Sequence, residues 1–450
     1  MLIEFRVKNF RSLRDEQVLS MVASSDKELR DTHVVETGLK AAPGLLKSAA
    51  IYGANASGKS TVIRALQVMR QVVIGSASWF RPGQSLPGQT FRLDARSVSE
   101  PIEFEVTFLQ DGVRWQYGFA MTAERIVAEH LLVYKAFKPQ RWYVRWYDAE
   151  ADKDVYEFGT GLRGHKQVWE AATRSNALFL STAVQLNSDA LRPLFDWFDK
   201  GLVIFNEHAS LTSEAAIKML QEPVGQKRMC EFLKAADISL ASIEVKILKH
   251  KVKYRVEFPE EVREFLGRVM HRKEKAKSVE RPGENAKKVE LLPDEIEDYD
   301  LRFLHETESG KAEFTLDDES SGTRNLLFLA APVLSILERG SILVVDELDT
   351  SLHTLLVRQL VRLFNSPRTN TGNAQLIFTM YDTSLLDAEG LFRRDQIWFM
   401  EKGVDQASSL IVLSEYSSRK NEALERGYLM GRYGGIPFLD RSKGLLHYGA

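Results

Sequence analysis

Among its 450 residues the chain has one cysteine, Cys230. That excludes an intrachain disulfide framework and a cysteine-based zinc cluster, since both need several thiols. Nothing beside Cys230 suggests a nucleophile, so it reads as a small buried hydrophobe. Long apolar runs are also missing. The stretch 326–337 falls well short of the roughly 20 residues a membrane span requires, and polar segments flank it. The opening MLIEFRVKNFRSL carries a charge every few residues and lacks the apolar core of a secretory leader. The expectation is a soluble, cytoplasmic protein without a membrane partner. An excess of either charge is lacking: 60 Lys and Arg stand against 62 Asp and Glu, a formal net charge of −2. That argues against a basic nucleic-acid coat but leaves a local basic groove open. No internal repeat is evident, and no long heptad segment is present, which excludes a coiled-coil arm.

What is present is ordinary globular composition, 44% hydrophobic and 27% charged, at a length suited to two domains or one large domain with an insertion. Residues 2–7 alternate apolar and polar and predict a strand. Residues 48–52 form a β-prone run ending at Gly53. Val62, Ile63, Leu66, Val68, Met69 and Val72 then recur at helical spacing over 61–73. A Gly-, Ser- and Pro-rich loop covers 75–90. From Ile102 the period becomes two, through Phe104, Val106 and Phe108. A turn at Asp111-Gly112 leads to Trp115, Tyr117 and Phe119, a hairpin pattern that continues as further strands over 129–156.

Helical patterns occupy roughly 165–240. The chain is very charged between 260 and 300, basic over 271–288 and acidic over 293–300. That segment reads as a solvated helix and linker, with an exposed arm for nucleic acid or a partner as the alternative. A helix over 325–339, a cap at Gly340, a buried strand over 341–345, a helix over 352–364 and a strand over 375–379 follow. The expected fold class is therefore α/β, with helices on the faces of a mixed sheet. Its head is split between residues 1–160, which include an antiparallel β subregion, and 301–450. Residues 161–300 are the expected inserted helical and charged subdomain.

Gly53-Ala54-Asn55-Ala56-Ser57-Gly58-Lys59-Ser60 matches G-x-x-x-x-G-K-[ST] without deviation, and Thr61 follows it. Glycines let backbone N–H groups fold around phosphate oxygens, and the helix start adds partial positive charge. Lys59 is expected to reach the β- and γ-phosphates and the Ser60 hydroxyl to ligate Mg²⁺. ATP and Mg²⁺ are thus the expected ligands, cradled from Gly53 to Thr61. Residues 342–347 make an apolar strand ending in Asp346 and Glu347. Alone that is a weak signal, for which a capping or surface role is the better reading. Beside a complete phosphate loop, Asp346 is expected to hold Mg²⁺ through water and Glu347 to polarise the attacking water. Upstream, Glu319-Ser320-Ser321-Gly322-Thr323 offers N–H groups and a hydroxyl to an anion, or else an ordinary helix cap. The 26 residues from Ser320 to Asp346 fit one helix and one strand.

These motifs resemble the ABC and SMC class of ATPases. The resemblance implies that Ser320, Ser321 and Gly322 face the γ-phosphate held by a second, head-to-tail subunit. Asp346-Glu347-Leu348-Asp349-Thr350-Ser351-Leu352-His353 looks like the Walker B strand and D-loop of that class, which places Asp349 at the dimer seam. Lys8-Asn9-Phe10-Arg11-Ser12-Leu13 resembles the start of SMC-, RecF- and OLD-like ATPases, with Arg11 close to nucleotide. Nearly the whole chain is similar to AAA-type ATP-binding proteins of abortive-infection and phage-defence systems, the ATPase component of two-protein systems such as the PARIS type. That likeness includes Arg394-Asp395-Gln396-Ile397-Trp398 and Gly431-Arg432-Tyr433-Gly434-Gly435-Ile436-Pro437-Phe438. In this family a Thr-His pair usually follows the strand at 375–379, and its His senses the γ-phosphate. Here the order is Thr379-Met380-Tyr381, which puts Tyr381 in the catalytic set. A tyrosine donates one hydrogen bond but carries no imidazolium charge, so slow turnover is expected.

The resemblance implies a defence ATPase that responds to a phage-derived trigger and controls a separate effector, such as a Toprim-type nuclease. About 100 residues follow Glu347 without a further acidic cluster, which leads to the expectation of an ATPase half with its effector on another chain. The competing reading is a RecF- or SMC-like DNA-maintenance ATPase that clamps DNA. A transporter subunit is disfavoured, because 267 residues separate Gly53 from Ser320, more than a compact transporter ATPase needs.

Overall fold

The structure is a computed structural model that describes residues 1–135, 138–205, 213–235, 238, 240–251, 295–307, 310–350, 352–416 and 423–436. The basic stretch 271–288, Ser351, Pro437 and Phe438 lie outside the described residues. The chain forms two compact units, one of Met1–Thr212 with Phe328–Ala450 and the other of Ser213–Leu327. Residues 161–212 thus belong to the first unit and 301–327 to the second.

The first unit is built on two sheets. In the six-stranded one the order is Leu202–Phe205, Ile342–Val345, Gln375–Thr379, Ser48–Gly53, Ile397–Lys402 and Ser408–Val412. The first five strands are parallel and the last pairs antiparallel as an edge. Every residue of Ser48–Gly53, Ile342–Val345 and Gln375–Thr379 is buried, as expected for parallel strands covered on both faces. Because Val345 pairs with Phe378, Thr379 with Ile51 and Met400 with Gly53, the motif residues emerge together at the carboxyl edge of the sheet. That is where open parallel sheets place their ligands. Strand Leu202–Phe205 corrects the helical reading of that stretch. Four apolar residues are too few to show a period, and the strand is fixed by pairing with Ile342–Val345, far away in sequence.

The seven-stranded antiparallel sheet runs Lys153–Phe158, Gln140–Asp148, Ile126–Tyr134, Val113–Met121, Ile102–Gln110, Leu2–Lys8 and Gln17–Ser20. Its inward residues, Phe104, Val106, Phe108, Tyr117, Leu131 and Val133 among them, share one core with Val62, Ile63, Leu66, Met69 and Val72 of helix Lys59–Gly75. A buried charge network holds the far end of that helix. Glu129 is fully buried and accepts from Tyr143 Oη (2.8 Å), Tyr117 Oη (3.1 Å), Phe179 N (2.7 Å) and Leu180 N (3.0 Å). Arg145, also fully buried, donates to Asp154 (2.9 Å) and to the Ala177 carbonyl (2.6 Å). Burial of this kind is tolerated only when each charge is paired and hydrogen-bonded. Ser181 Oγ and Arg174 then donate to Val73 O (2.5 Å) and Ser76 O (2.7 Å), so the antiparallel sheet anchors the helix whose other end is the phosphate loop.

Two C-terminal motifs are structural here. Arg393 and Asp395 form a buried pair (2.7 Å), and Asp395 accepts from Ser24 N at 2.8 Å. Gln396 is fully buried and donates to Ser48 Oγ at 2.8 Å. Tyr433 and Tyr428 both stack on Phe399, with centroids 5.4 and 5.2 Å away, directly behind the strand that ends in Gly53.

The second unit has helices Ser213–Leu220 and Pro223–Ala235 and a three-stranded antiparallel sheet of Ser242–Lys251, Glu295–Thr307 and Gly310–Thr315. This sheet corrects the purely helical and linker reading of the insertion. Alternation is visible in hindsight: Leu301 and Phe303 are buried while Asp300 and Arg302 pair with each other at 2.7 Å. Cys230 is free and buried, as its sequence context implied.

Candidate functional site

Strand Ser48–Gly53 runs directly into the phosphate loop, and helix Lys59–Gly75 opens from it with no side-chain cap. With no side chain capping them, its first N–H groups are available to an anion. Gly58 caps the helix at φ 113°, a region side chains avoid, and a Cβ there would meet Ser408 Oγ at 2.6 Å. At Gly53 a Cβ would lie 2.5 Å from Met400 O and 2.7 Å from Ser57 Oγ. Both glycines are thus required by space. Asn55 and Ala56 form the exposed tip, Ala56 with a left-handed φ of 60°.

A cavity of about 480 Å³ lies over the loop, lined by Ala54, Ala56, Ser57, Gly58, Lys59, Ser60 and Thr61. Its other walls contribute Arg11, Arg64, Arg92, Lys402 and Tyr381, so five cations and no carboxylate line it. Burial, with Arg64 and Arg92 nearby, pushes the Arg11 guanidinium below its ordinary value. The opening motif explains how these arrive. Asn9 and Arg11 take left-handed φ values of 56° and 52°, and Arg11 N donates to Gln89 O at 2.8 Å. Asn9, buried, accepts from Phe91 N at 3.1 Å, which fixes the segment that carries Arg92. Ser12 O accepts from Ser408 N (2.7 Å), and Ser12 Oγ donates to Thr61 Oγ1 (3.4 Å), joining the motif to the helix start.

The acidic strand end is tightly ordered. Thr379 Oγ1 donates to Asp346 Oδ1 at 2.6 Å and accepts from Glu347 N at 2.7 Å, so one buried hydroxyl positions both residues. Glu347 has φ 52°, a strained conformation for a non-glycine residue of the sort that clusters at functional sites. Its carbonyl accepts from Thr350 N (3.0 Å) and Thr350 Oγ1 (2.8 Å). Asp349 Oδ2 accepts from Tyr381 N (2.8 Å) and Asp382 N (2.7 Å), which binds the segment after Glu347 to the end of the adjacent strand.

Lys59 donates to Gly53 O (2.6 Å) and Ala54 O (3.1 Å), and its Nζ lies 3.8 Å from the centroid of the Tyr381 ring. Burial pushes its pKa down to about 8, against the opposing pull of Glu347, Asp349 and Asp346. Tyr381 Oη donates to Glu347 Oε1 at 2.8 Å, and burial together with that carboxylate pushes the phenol up to about 12.

The structure therefore brings together Gly53 to Thr61, Arg11, Asp346, Glu347, Asp349 and Tyr381 in the first unit. Ser320, Ser321 and Gly322 belong to the second unit, where the helix begins at Ser321, four residues earlier than expected. Ser320 Oγ accepts from Thr323 N at 3.0 Å, the geometry of an N-cap. Thr379, Arg64, Arg92 and Lys402 were not singled out from the sequence. For Thr379 a signal existed, since it ends the strand that pairs with the acidic one.

The fit to nucleotide and metal can be judged from the residues present. Ser57 Oγ is buried in the cradle with no hydrogen-bond partner among the described residues, and the lining is wholly cationic in charge. A hydroxyl from Ser60 and a carboxylate from Asp346 are hard oxygen donors of the kind that would hold Mg²⁺. Among the described residues no cluster of three or more His, Cys, Asp or Glu suits a different metal.

A complete phosphate loop at the carboxyl edge of a parallel sheet, two strands away from an acidic strand end, defines an AAA-type nucleotide-binding fold. The chain belongs to the family described as "AAA domain, putative AbiEii toxin, Type IV TA system", whose model matches residues 48–379, from the first residue of the phosphate-loop strand to Thr379. No curated protein matches it. Among solved structures it is similar to the SMC head domain from Thermotoga maritima, at 12% identity and TM-score 0.39 over 91% of this chain and 98% of that one. It is also similar to an SMC head bound to the C-winged helix domain of ScpA, at 11% identity and TM-score 0.36 over 91% and 96%. No described helix is long and apolar enough to cross a membrane.

Proposed function

We propose that the chain binds ATP with Mg²⁺ at the Gly53–Thr61 cradle, hydrolyses it slowly, and acts as sensor and scaffold in antiviral, abortive-infection defence. The observation that carries this reading is the cavity lined by five cations and no carboxylate. Lys59 holds the β- and γ-phosphates, Ser60 and Asp346 hold the metal, and Glu347 takes a proton from the attacking water. Mg²⁺, when bound, neutralises phosphate charge and orients the terminal group. Arg11 sits against the nucleotide. Two copies meet head to tail, as a dimer or a higher homo-oligomer, with Ser320, Ser321 and Gly322 of one copy completing the other's site and Asp349 at the seam. In the cytoplasm, a phage-derived trigger alters this assembly and releases or activates a separate effector, a nuclease.

Co-purification with the neighbouring gene product tests this, comparing wild type with Lys59→Ala and Glu347→Gln. Both variants should change ATP turnover and the recovered complex. If neither does, the mechanism is wrong. Salt-dependent DNA binding stimulated by ATP, without an effector in the complex, would favour the DNA-clamping reading instead.

A further inference from the structure

Tyr381 lies just beyond the residues matched by the family model, and the proposed chemistry gives it no step. Its position is unusual for a spectator. The ring faces the Lys59 ammonium at 3.8 Å, and the hydroxyl engages Glu347 Oε1 at 2.8 Å. Lys59 meanwhile spends its donors on the Gly53 and Ala54 carbonyls, at 2.6 and 3.1 Å. The cation that should meet the terminal phosphates and the carboxylate that should meet water are therefore closed on one aromatic side chain. That side chain lines the phosphate cavity, yet it is 39% exposed and is not locked into the core. Its backbone is held separately, by Asp349 through two N–H groups at 2.8 and 2.7 Å, so the side chain can leave while the main chain stays.

We propose that the Tyr381 side chain is an internal competitor for ATP, a latch that occupies Lys59 and Glu347 in the nucleotide-free protein and that the γ-phosphate must displace. The idea rests on ATP binding at this loop and deepens that reading. A cation over an aromatic face and a phenol–carboxylate hydrogen bond are both favourable contacts that the ligand has to break. They reduce the fraction of molecules ready to bind, and apparent affinity falls by that fraction. Displacement also frees Glu347, so the catalytic carboxylate becomes available only when a terminal phosphate is present.

Equilibrium binding of ATP and of ADP, each with Mg²⁺, to wild type, Tyr381→Ala, Tyr381→Phe and Lys59→Ala tests the latch. Tyr381→Ala should bind ATP on the order of tenfold more tightly, with a smaller gain for ADP, which lacks the group that displaces the ring. Tyr381→Phe should fall between, since it keeps the ring over Lys59 and loses the bond to Glu347. Thermal unfolding of each variant confirms that it is folded. Unchanged or weaker ATP binding by Tyr381→Ala overturns the latch, weaker binding making Tyr381 a nucleotide contact, and an equal gain for ADP overturns it too. If Lys59→Ala binds ATP as well as wild type, it is the assignment of the loop that has failed.

Discussion

The basic lining of the phosphate cavity and the acidic strand end around Glu347 satisfy their polar groups in different ways. On the basic side, Arg11, Arg64, Arg92 and Lys402 line the wall with no hydrogen-bond or ion-pair partner for their side chains among the described residues. At the acidic strand end most groups are engaged: the Asp346 carboxylate and the Glu347 N–H by Thr379, Asp349 Oδ2 by two backbone N–H groups, and the Glu347 carboxylate by Tyr381, while Asp349 Oδ1 is buried without a hydrogen-bond partner among the described residues. A surface of unpaired cations repels itself and gains by accepting an anion. The Glu347 carboxylate, by contrast, must break its bond to Tyr381 before it can act. On the proposed function, the contrast separates affinity, set by the cavity lining, from turnover, set by the acidic strand end.

That separation can be attacked one residue at a time. Glu347→Gln should lower ATP turnover by about 10²–10⁴-fold, the usual worth of a positioned general base, while ATP binding persists. Turnover and equilibrium binding measured on the same sample decide it, and parallel losses in both would erase the contrast. Thr379→Val removes the one hydroxyl that orders both Asp346 and Glu347. Removing it should cost about 1–3 kcal/mol of stability and lower turnover by at least about tenfold, read by denaturant titration and steady-state rates. Unchanged turnover would mean that Asp346 and Glu347 are ordered by other contacts. The smallest effects belong to the basic wall. Arg64→Ala or Arg92→Ala should each weaken ATP binding by only a few-fold, about 0.5–1 kcal/mol, since both are exposed, and the loss should shrink in high salt. A loss that salt does not touch would point to a direct, desolvated contact.

The phosphate loop was legible because its spacing is local and its flanking strand and helix show their own periods over a few residues. The acidic strand, the hairpin around Asp111-Gly112 and strand Gln375–Thr379 were legible for the same reason. What stayed hidden depends on contacts between distant parts of the chain. Leu202–Phe205 is a strand because Ile342–Val345 lies beside it. The sheet of the inserted unit depends on Ser242–Lys251 pairing with Glu295–Thr307 across more than forty residues. The arginine wall gathers positions 11, 64 and 92, which no sequence window contains. Tyr381 was flagged by its departure from an expected histidine. That departure shows only what the residue lacks, and its contacts with Lys59 and Glu347 depend on how distant strands are brought together.

The central claim is that the Gly53–Thr61 loop holds ATP through Lys59. Equilibrium binding of ATP with Mg²⁺ to wild type and to Lys59→Ala, both shown to be folded, tests it most directly. The account predicts that the variant binds at least about a hundredfold more weakly, roughly 2.7 kcal/mol, because a charge-assisted contact to phosphate is lost. Equal affinity in the two proteins would contradict it.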